Sequence, residues 1–346
     1  MADTNTTSRP VTWYRSPLTS ADFKELHKRS DWRGGVQTFG YLAVLLLTGV
    51  SVFYAAKHLA WPFVVLALFV NAMAYSFIPN GMHELGHGTV FKTKFLNEFF
   101  TRIFGFLGWN NYAYFAESHS RHHRYTLHPP DDLEVVLPTR AVLKQCVTQG
   151  IVNWPRMKWT ILYTIRIARG KYEGEWENTM FPASDPERRR GPMIAARGFL
   201  VGHSLIIAVS IYFKLWLLPL VITFPSFYGD WLFFLLNNAQ HTGMTDNVSD
   251  FRLCCRTILL DPVTEFMYWH MNYHTEHHMY AAVPCYNLGR LHRLIEHDMP
   301  HCPRGLIETW KEINAVQKRQ KEDPTYKNIV ALPPTANPSP GMVATI

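Results

Sequence analysis

The stretch "TFGYLAVLLLTGVSVFYAA" (Thr38–Ala56) holds no charged side chain over 19 residues. At about 1.5 Å of rise per residue, a helix of that length is close to the thickness of a bilayer's hydrocarbon core. Beyond Lys57-His58 lies a second uncharged run, "LAWPFVVLALFVNAMAYSFIPNGM" (Leu59–Met82). A long polar region follows. Then come "GFLVGHSLIIAVSIYF" (Gly198–Phe213), which extends backward through "PMIAAR", and, past Lys214, "LWLLPLVITFPSFYGDWLFFLLNN" (Leu215–Asn238). These runs predict an all-α integral membrane protein with four transmembrane helices in two hairpins.

The basic residues orient it. Of 34 Lys and Arg, only Lys57 and Lys214 fall in the two short hairpin loops. The N-terminal segment, the Gly81–Pro192 region and the C-terminal region hold nearly all the others. By the positive-inside rule these three face the cytoplasm. The net charge of +7 is accounted for by that membrane face, and no nucleic-acid-binding motif is visible. The division expected is a cytoplasmic N-terminal segment (1–37), one membrane domain (38–332) and a disordered Pro-rich tail (333–346) containing "PPTANPSPG". The polar start "MADTNTTSRPVTWYRSP" predicts no cleavable signal peptide. Five cysteines without CxxC spacing read as reduced thiols. "IFGFLGWNNYAYFA" (Ile103–Ala116) is too short to span and reads as a re-entrant or interfacial segment. The stretch Trp154–Tyr172 reads as a helix lying on the membrane surface.

Seventeen histidines are an excess, and nine of them cluster. "HELGH" supplies His83 and His87, "HSRHH" supplies His119, His122 and His123, "NNAQH" supplies His241, and "HTEHH" supplies His274, His277 and His278. On a helix, positions i, i+3 and i+4 share a face. His83 begins just after the second run and His241 follows the fourth, while the other two clusters lie in cytoplasmic segments. All nine therefore sit on one side of the membrane and can converge into a helical cytoplasmic cap carrying a di-metal site. A zinc ion takes three or four protein ligands, so nine imidazoles suit two ions. Imidazole binds Zn, Cu, Fe and Ni alike and does not choose among them. His27, His58, His292, His297 and His301 read as surface or packing residues. The role of His270, just upstream of the last cluster, stays open.

The order HxxxH, HxxHH, lone His, HxxHH, set among these runs from about Phe39 to Leu294, resembles the membrane di-iron fatty acid desaturases, hydroxylases and alkane monooxygenases. "NYHTEHH" and "QHTG" look especially like the acyl desaturase branch. The resemblance implies two non-haem irons held by the nine histidines, molecular oxygen as co-substrate, and a fatty acyl or other long aliphatic substrate. It also implies a separate electron-donor protein of cytochrome b5, ferredoxin or rubredoxin type, because no carrier domain is apparent in the chain. The expected reaction is oxidation of a methylene, with desaturation preferred and hydroxylation the alternative. The apolar runs would wall a water-excluding tunnel.

Imidazole ligands need partners on their second nitrogen. Candidates are Glu84, Glu117, Glu276, Asp131 and Asp132. Asp230, inside the fourth run, could hold a ligand or a substrate head group, with His203 as a partner. Asn237 and Asn238 are candidate water-mediated metal contacts. Two rival readings exist. "HELGH" matches the zinc protease motif, with Glu84 as base, but leaves seven clustered histidines unexplained. A metal transporter would place ligands near the bilayer midplane instead. The topology is testable by cysteine labelling of intact cells. External reagent should reach a probe at His58 or Lys214 and miss one at Lys144; labelling at Lys144 overturns the orientation.

Overall fold

The computed structural model describes residues 11–137, 141, 143–324 and 326–339. Among them the chain is built of α-helices and short 3-10 turns, with three isolated β-bridges and no strand. Three helices are long and apolar enough to cross a membrane: Asp31–His58, Trp61–Gly86 and Pro186–Tyr212. Each starts where its sequence allows. Ser30 caps the first, its side chain accepting from the Arg33 N–H, and Asp185 caps the third through the Arg188 N–H. Only 28% of the apolar window of the first and of the third is buried. Leu46, Leu47, Val50, Val201, Leu205 and Ile211 point outward. Such long apolar faces are stable against lipid, not water.

The first two helices pack as a hairpin. The Tyr41 hydroxyl donates to the Ala74 carbonyl at 2.7 Å, and the Asn71 amide donates to Thr48 Oγ1 at 3.1 Å. Buried polar groups in apolar surroundings pair in this way. The second helix turns at Ser76-Phe77 and restarts as Ile78–Gly86. Pro79 explains the interruption: it has no N–H to give, and its ring clashes with the carbonyl four residues back. The third helix reaches back through Pro192 to Pro186, as the sequence suggested.

The fourth apolar run corrects the expectation of a fourth long helix. It breaks into Leu217–Ile222, a 3-10 turn at Pro225–Phe227, and Trp231–Ala239. Pro225 cannot continue a helix, and Gly229 takes a positive φ of 66° where an added Cβ would stand 2.9 Å from the Ala72 methyl. Asp230 therefore stands at the start of a short helix and not in the interior of a long one. The Ile103–Ala116 segment is likewise divided, between the helices Lys94–Leu107 and Tyr112–Tyr125. Trp154–Ala168 is a helix with Trp154 and Trp159 exposed. The start of the tail is held down: the Thr335 hydroxyl donates to the His297 carbonyl, and the Asn337 N–H donates to Asp298. The disorder expected for the tail's last residues, and the extreme N-terminus, lie outside the described residues.

Helix Lys94–Leu107 lies against Ile78–Gly86, and Gly81 sets how close it comes. A Cβ on Gly81 would run into the Phe104 ring and would stand 2.8 Å from Trp269, both fully buried. Gly81→Ala should therefore destabilise the protein by about 1–3 kcal/mol through overpacking. Gly86→Ala, with nothing within 4 Å of the added methyl, should be neutral or stabilising. Thermal unfolding of the two variants in one detergent checks this; equal midpoints would refute the close approach.

Candidate metal centre

Four pieces of chain carry the clustered histidines. His83 lies at the end of helix Ile78–Gly86, and His87 caps that helix. His119, His122 and His123 occupy the second half of Tyr112–Tyr125, which Asn111 starts by accepting from the Tyr114 N–H. His241 follows helix Trp231–Ala239 by two residues. His274, His277 and His278 form most of the short helix His274–Met279. The structure gathers all nine and sorts them into two sets. His83, His87, His119, His123 and His277 form one; His122, His241, His274 and His278 form the other. Within each set one ring nitrogen per residue lies within 4.8 Å of all the others.

The sorting corrects the expectation that each box points its rings one way. In both HxxHH boxes the i, i+4 pair enters one set and the i+3 residue enters the other. Successive residues are turned by about 100° on a helix, so i+3 and i+4 diverge by that angle. A box of three thus serves two neighbouring centres, and the rings of His123 and His278 are 4.4 Å apart across the divide.

The Nε2 atoms face one another. The separations are 2.5 Å for His83 and His119, 3.1 Å for His123 and His277, and 2.9 Å for His241 and His274. The Nδ1 atoms of His119, His122 and His241 face outward to acceptors. His119 Nδ1 donates to Glu134 at 2.7 Å, His122 Nδ1 to Asp132 at 2.9 Å, and His241 Nδ1 to the Cys254 carbonyl at 2.9 Å. The Glu84 carboxylate lies 3.1 Å from His83 Nδ1 and 3.3 Å from His277 Nδ1. A neutral imidazole carries one proton. With that proton directed outward, Nε2 lone pairs point at one another in a buried space. Burial pushes the His87 and His241 imidazoles down to about 3, so the rings stay neutral. Converging neutral lone pairs repel unless a cation lies between them, so the donor set fits two metal ions.

The supporting residues differ in part from those expected. Glu84 and Asp132 contact cluster histidines. Glu117 instead faces Arg188 at 4.0 Å, and Glu276 accepts from Thr257 and His292, both at 2.5 Å. His292, read as surface or packing, is thus buried in a polar pair. No contact places Asp131 on a cluster ring. Asp230 pairs with Arg156 at 2.7 Å, not with His203. His203 is stacked between Phe106 and Trp109 and bonded to the Phe106 carbonyl. His270 pairs with Glu265 and belongs to neither set. Glu134 and the Cys254 carbonyl were missed. Glu134 is fifteen residues beyond His119, and only a run of acids after the second box hinted at it.

A cavity of about 500 Å³ opens beside both sets, lined by His83, His119, His122, His241 and His274. Through Phe115, Glu134 and Val136 it adjoins a second cavity of about 660 Å³ with Trp109, Trp159, Tyr163 and Trp176 in its wall.

Orienting carboxylates of this kind contribute about ten- to a hundredfold to metal affinity. Glu134→Ala should weaken binding of a first-row divalent metal by that factor, whereas Glu117→Ala should leave it within about twofold. Competitive metal titration against a chelator reads both. Equal losses would refute the assignment of Glu134 as the partner of His119.

No curated protein matches the chain. The family model for fatty acid desaturase matches residues 59–310, which is more than half of the chain and includes all nine clustered histidines. The chain belongs to the fatty acid desaturase family.

Proposed function

We propose that this protein is a membrane-bound, non-haem di-iron oxidoreductase that oxidises a methylene of a fatty acyl or other long aliphatic substrate with molecular oxygen. Desaturation is favoured over hydroxylation. The observation that carries the reading is the division of nine imidazoles, seven of them buried, into neighbouring sets of five and four. A zinc protease needs one metal and one such set. A transporter needs ligands near the midplane of the spans, whereas His83 and His87 lie at the end of theirs.

Iron bound there supplies oxygen activation strong enough to break an unactivated C–H bond, which no side chain can do. The chain's own part is positional. His83, His87, His119, His123 and His277 would hold one ion, and His122, His241, His274 and His278 the other. Asp132, Glu134 and the Cys254 carbonyl keep each bonded ring in the tautomer that leaves Nε2 free, and the Glu84 carboxylate lies beside His83 and His277. Phe115, Phe233 and Met271 line the cavity and limit water at the reacting centre. Loss of two hydrogens from the methylene pair leaves a double bond; gain of one oxygen gives an alcohol.

The membrane arrangement belongs to the same proposal. Helix Pro186–Tyr212 is about 40 Å long at 1.5 Å per residue, and Lys214 follows its far end. His241 is back among the other histidines. The chain between them must return across the same depth, which the broken fourth run does as two short helices. The active site then faces the cytoplasm with the basic segments. Electrons arrive there from a separate donor protein of cytochrome b5, ferredoxin or rubredoxin type.

Protein purified with its native metal should contain two irons per chain. With a donor and acyl substrates it should yield products lighter by two hydrogens, read by mass spectrometry. His278→Ala should abolish turnover while the protein stays in the membrane. One zinc and no iron, or no oxidised product from any aliphatic substrate, would refute the proposal.

A further inference from the structure

Among the buried polar atoms beside the histidines that lack a hydrogen-bond partner is Asn80 Oδ1. Asn80 lies one helical turn before His83 in Ile78–Gly86, so the two share a face. It is only 4% exposed, and its Oδ1 has no hydrogen-bond partner among the described residues. Buried amides are normally paired, and an unpaired one costs stability. Asn71, in the same long helix, likewise has an unpaired Oδ1 but anchors its amide N–H on Thr48 Oγ1. Asn80 instead lines the cavity that His83, His119, His122, His241 and His274 share.

That cavity is not the wholly apolar slot that a featureless hydrocarbon chain would fill. Asn237, Asn238, Gln240 and Thr242 line it together with Phe115 and Phe233. Among its described lining residues there is no Lys or Arg, while Glu134 is present. An amide both donates and accepts, so it suits a neutral hydroxyl, carbonyl or amide group. Three residues of helix separate Asn80 from His83, a rise of about 4.5 Å.

We propose that Asn80 is a specificity-determining residue that hydrogen-bonds a neutral polar substituent of the substrate, a few bonds from the carbon that reacts. This rests on reading the cavity as the substrate site of the proposed oxidation, and it narrows the substrate to aliphatic chains bearing such a group near the reacting position. Asn80 Oδ1 has no partner among the described residues, so the amide is available to a polar group that enters the cavity. A chain with a methyl group in place of the polar one would leave it unpaired in a closed site, which is how such sites discriminate.

The test uses binding, so that it is independent of turnover. A panel of straight-chain C12 secondary alcohols and their methyl-for-hydroxyl counterparts is titrated against the full chain in lipid nanodiscs. For the best alcohol, wild type should bind the alcohol at least about tenfold more tightly than its counterpart, one hydrogen bond's worth of discrimination. Asn80→Leu should bring that ratio, corrected for lipid partitioning by empty discs, to within about threefold. Because Leu needs no partner, N80L should also leave the thermal midpoint unchanged or higher, where a structural role for Asn80 would lower it. Asn80→Ala removes the same amide should Leu not fit. The proposal is overturned if no alcohol binds better than its counterpart, or if the preference survives in both variants. An Asn80-dependent preference without any oxidised product counts against the oxidation reading and supports the binding site.

Discussion

Nine imidazoles from four pieces of chain, gathered into two adjoining sets, form an arrangement that the protein must impose against electrostatics. Water would separate such rings, and burial removes the water. The surrounding chain is organised to hold them in place. Glu84, Asp132 and Glu134 are carboxylates placed at outward-facing ring nitrogens, and a backbone carbonyl does the same for His241. Each such contact fixes a tautomer as well as an orientation. The cost of the convergence is offset only by a cation, so the fold and the metal content depend on each other.

Holding four separate pieces of chain at that point calls for rigid joints away from it. Pro79 breaks the second helix just before the first box, which lets Ile78–Gly86 take its own direction. Gly81 then admits Phe104 and Trp269 at close range. On another side a fully buried Arg252 bridges Asp250 and Asp298, both at 2.7 Å. The same Asp298 accepts from Tyr14, Ser16 and the Asn337 N–H. Both ends of the described chain are thus tied to one ion-pair node. Trp13 stacks on Phe251 at 4.0 Å, and the Phe251 ring in turn lies 5.3 Å from that of His278. A buried charged network of this kind stabilises little on its own, but it fixes one arrangement among several.

Tunnel and cavity illustrate a limit of hydropathy. Long apolar runs imply apolar surfaces, and the long helices turn such faces outward. The wall beside the histidines is built differently, from helix ends and connections, where amides and carboxylates are available. A site at the end of a helix bundle therefore acquires polar lining, while aromatic residues such as Trp109, Trp159 and Tyr163 wall the adjoining cavity.

The sequence by itself determined the class of the protein, the nine histidines and their likeness to one family. Those signals are local: an uncharged run of 19 residues or an HxxHH spacing has the same meaning wherever the chain goes next. Tertiary structure decided what depends on distance across the fold. It sorted each box between two sets, because helical angle separates i+3 from i+4. It chose Glu134 over Glu117 and gave Glu276 to His292, because a carboxylate's partner is set by which helix packs beside it. It broke the fourth apolar run at Pro225 and Gly229, where composition alone reads as a span. And it left Asn80 unpaired, since whether a buried amide finds a partner depends on every element around it.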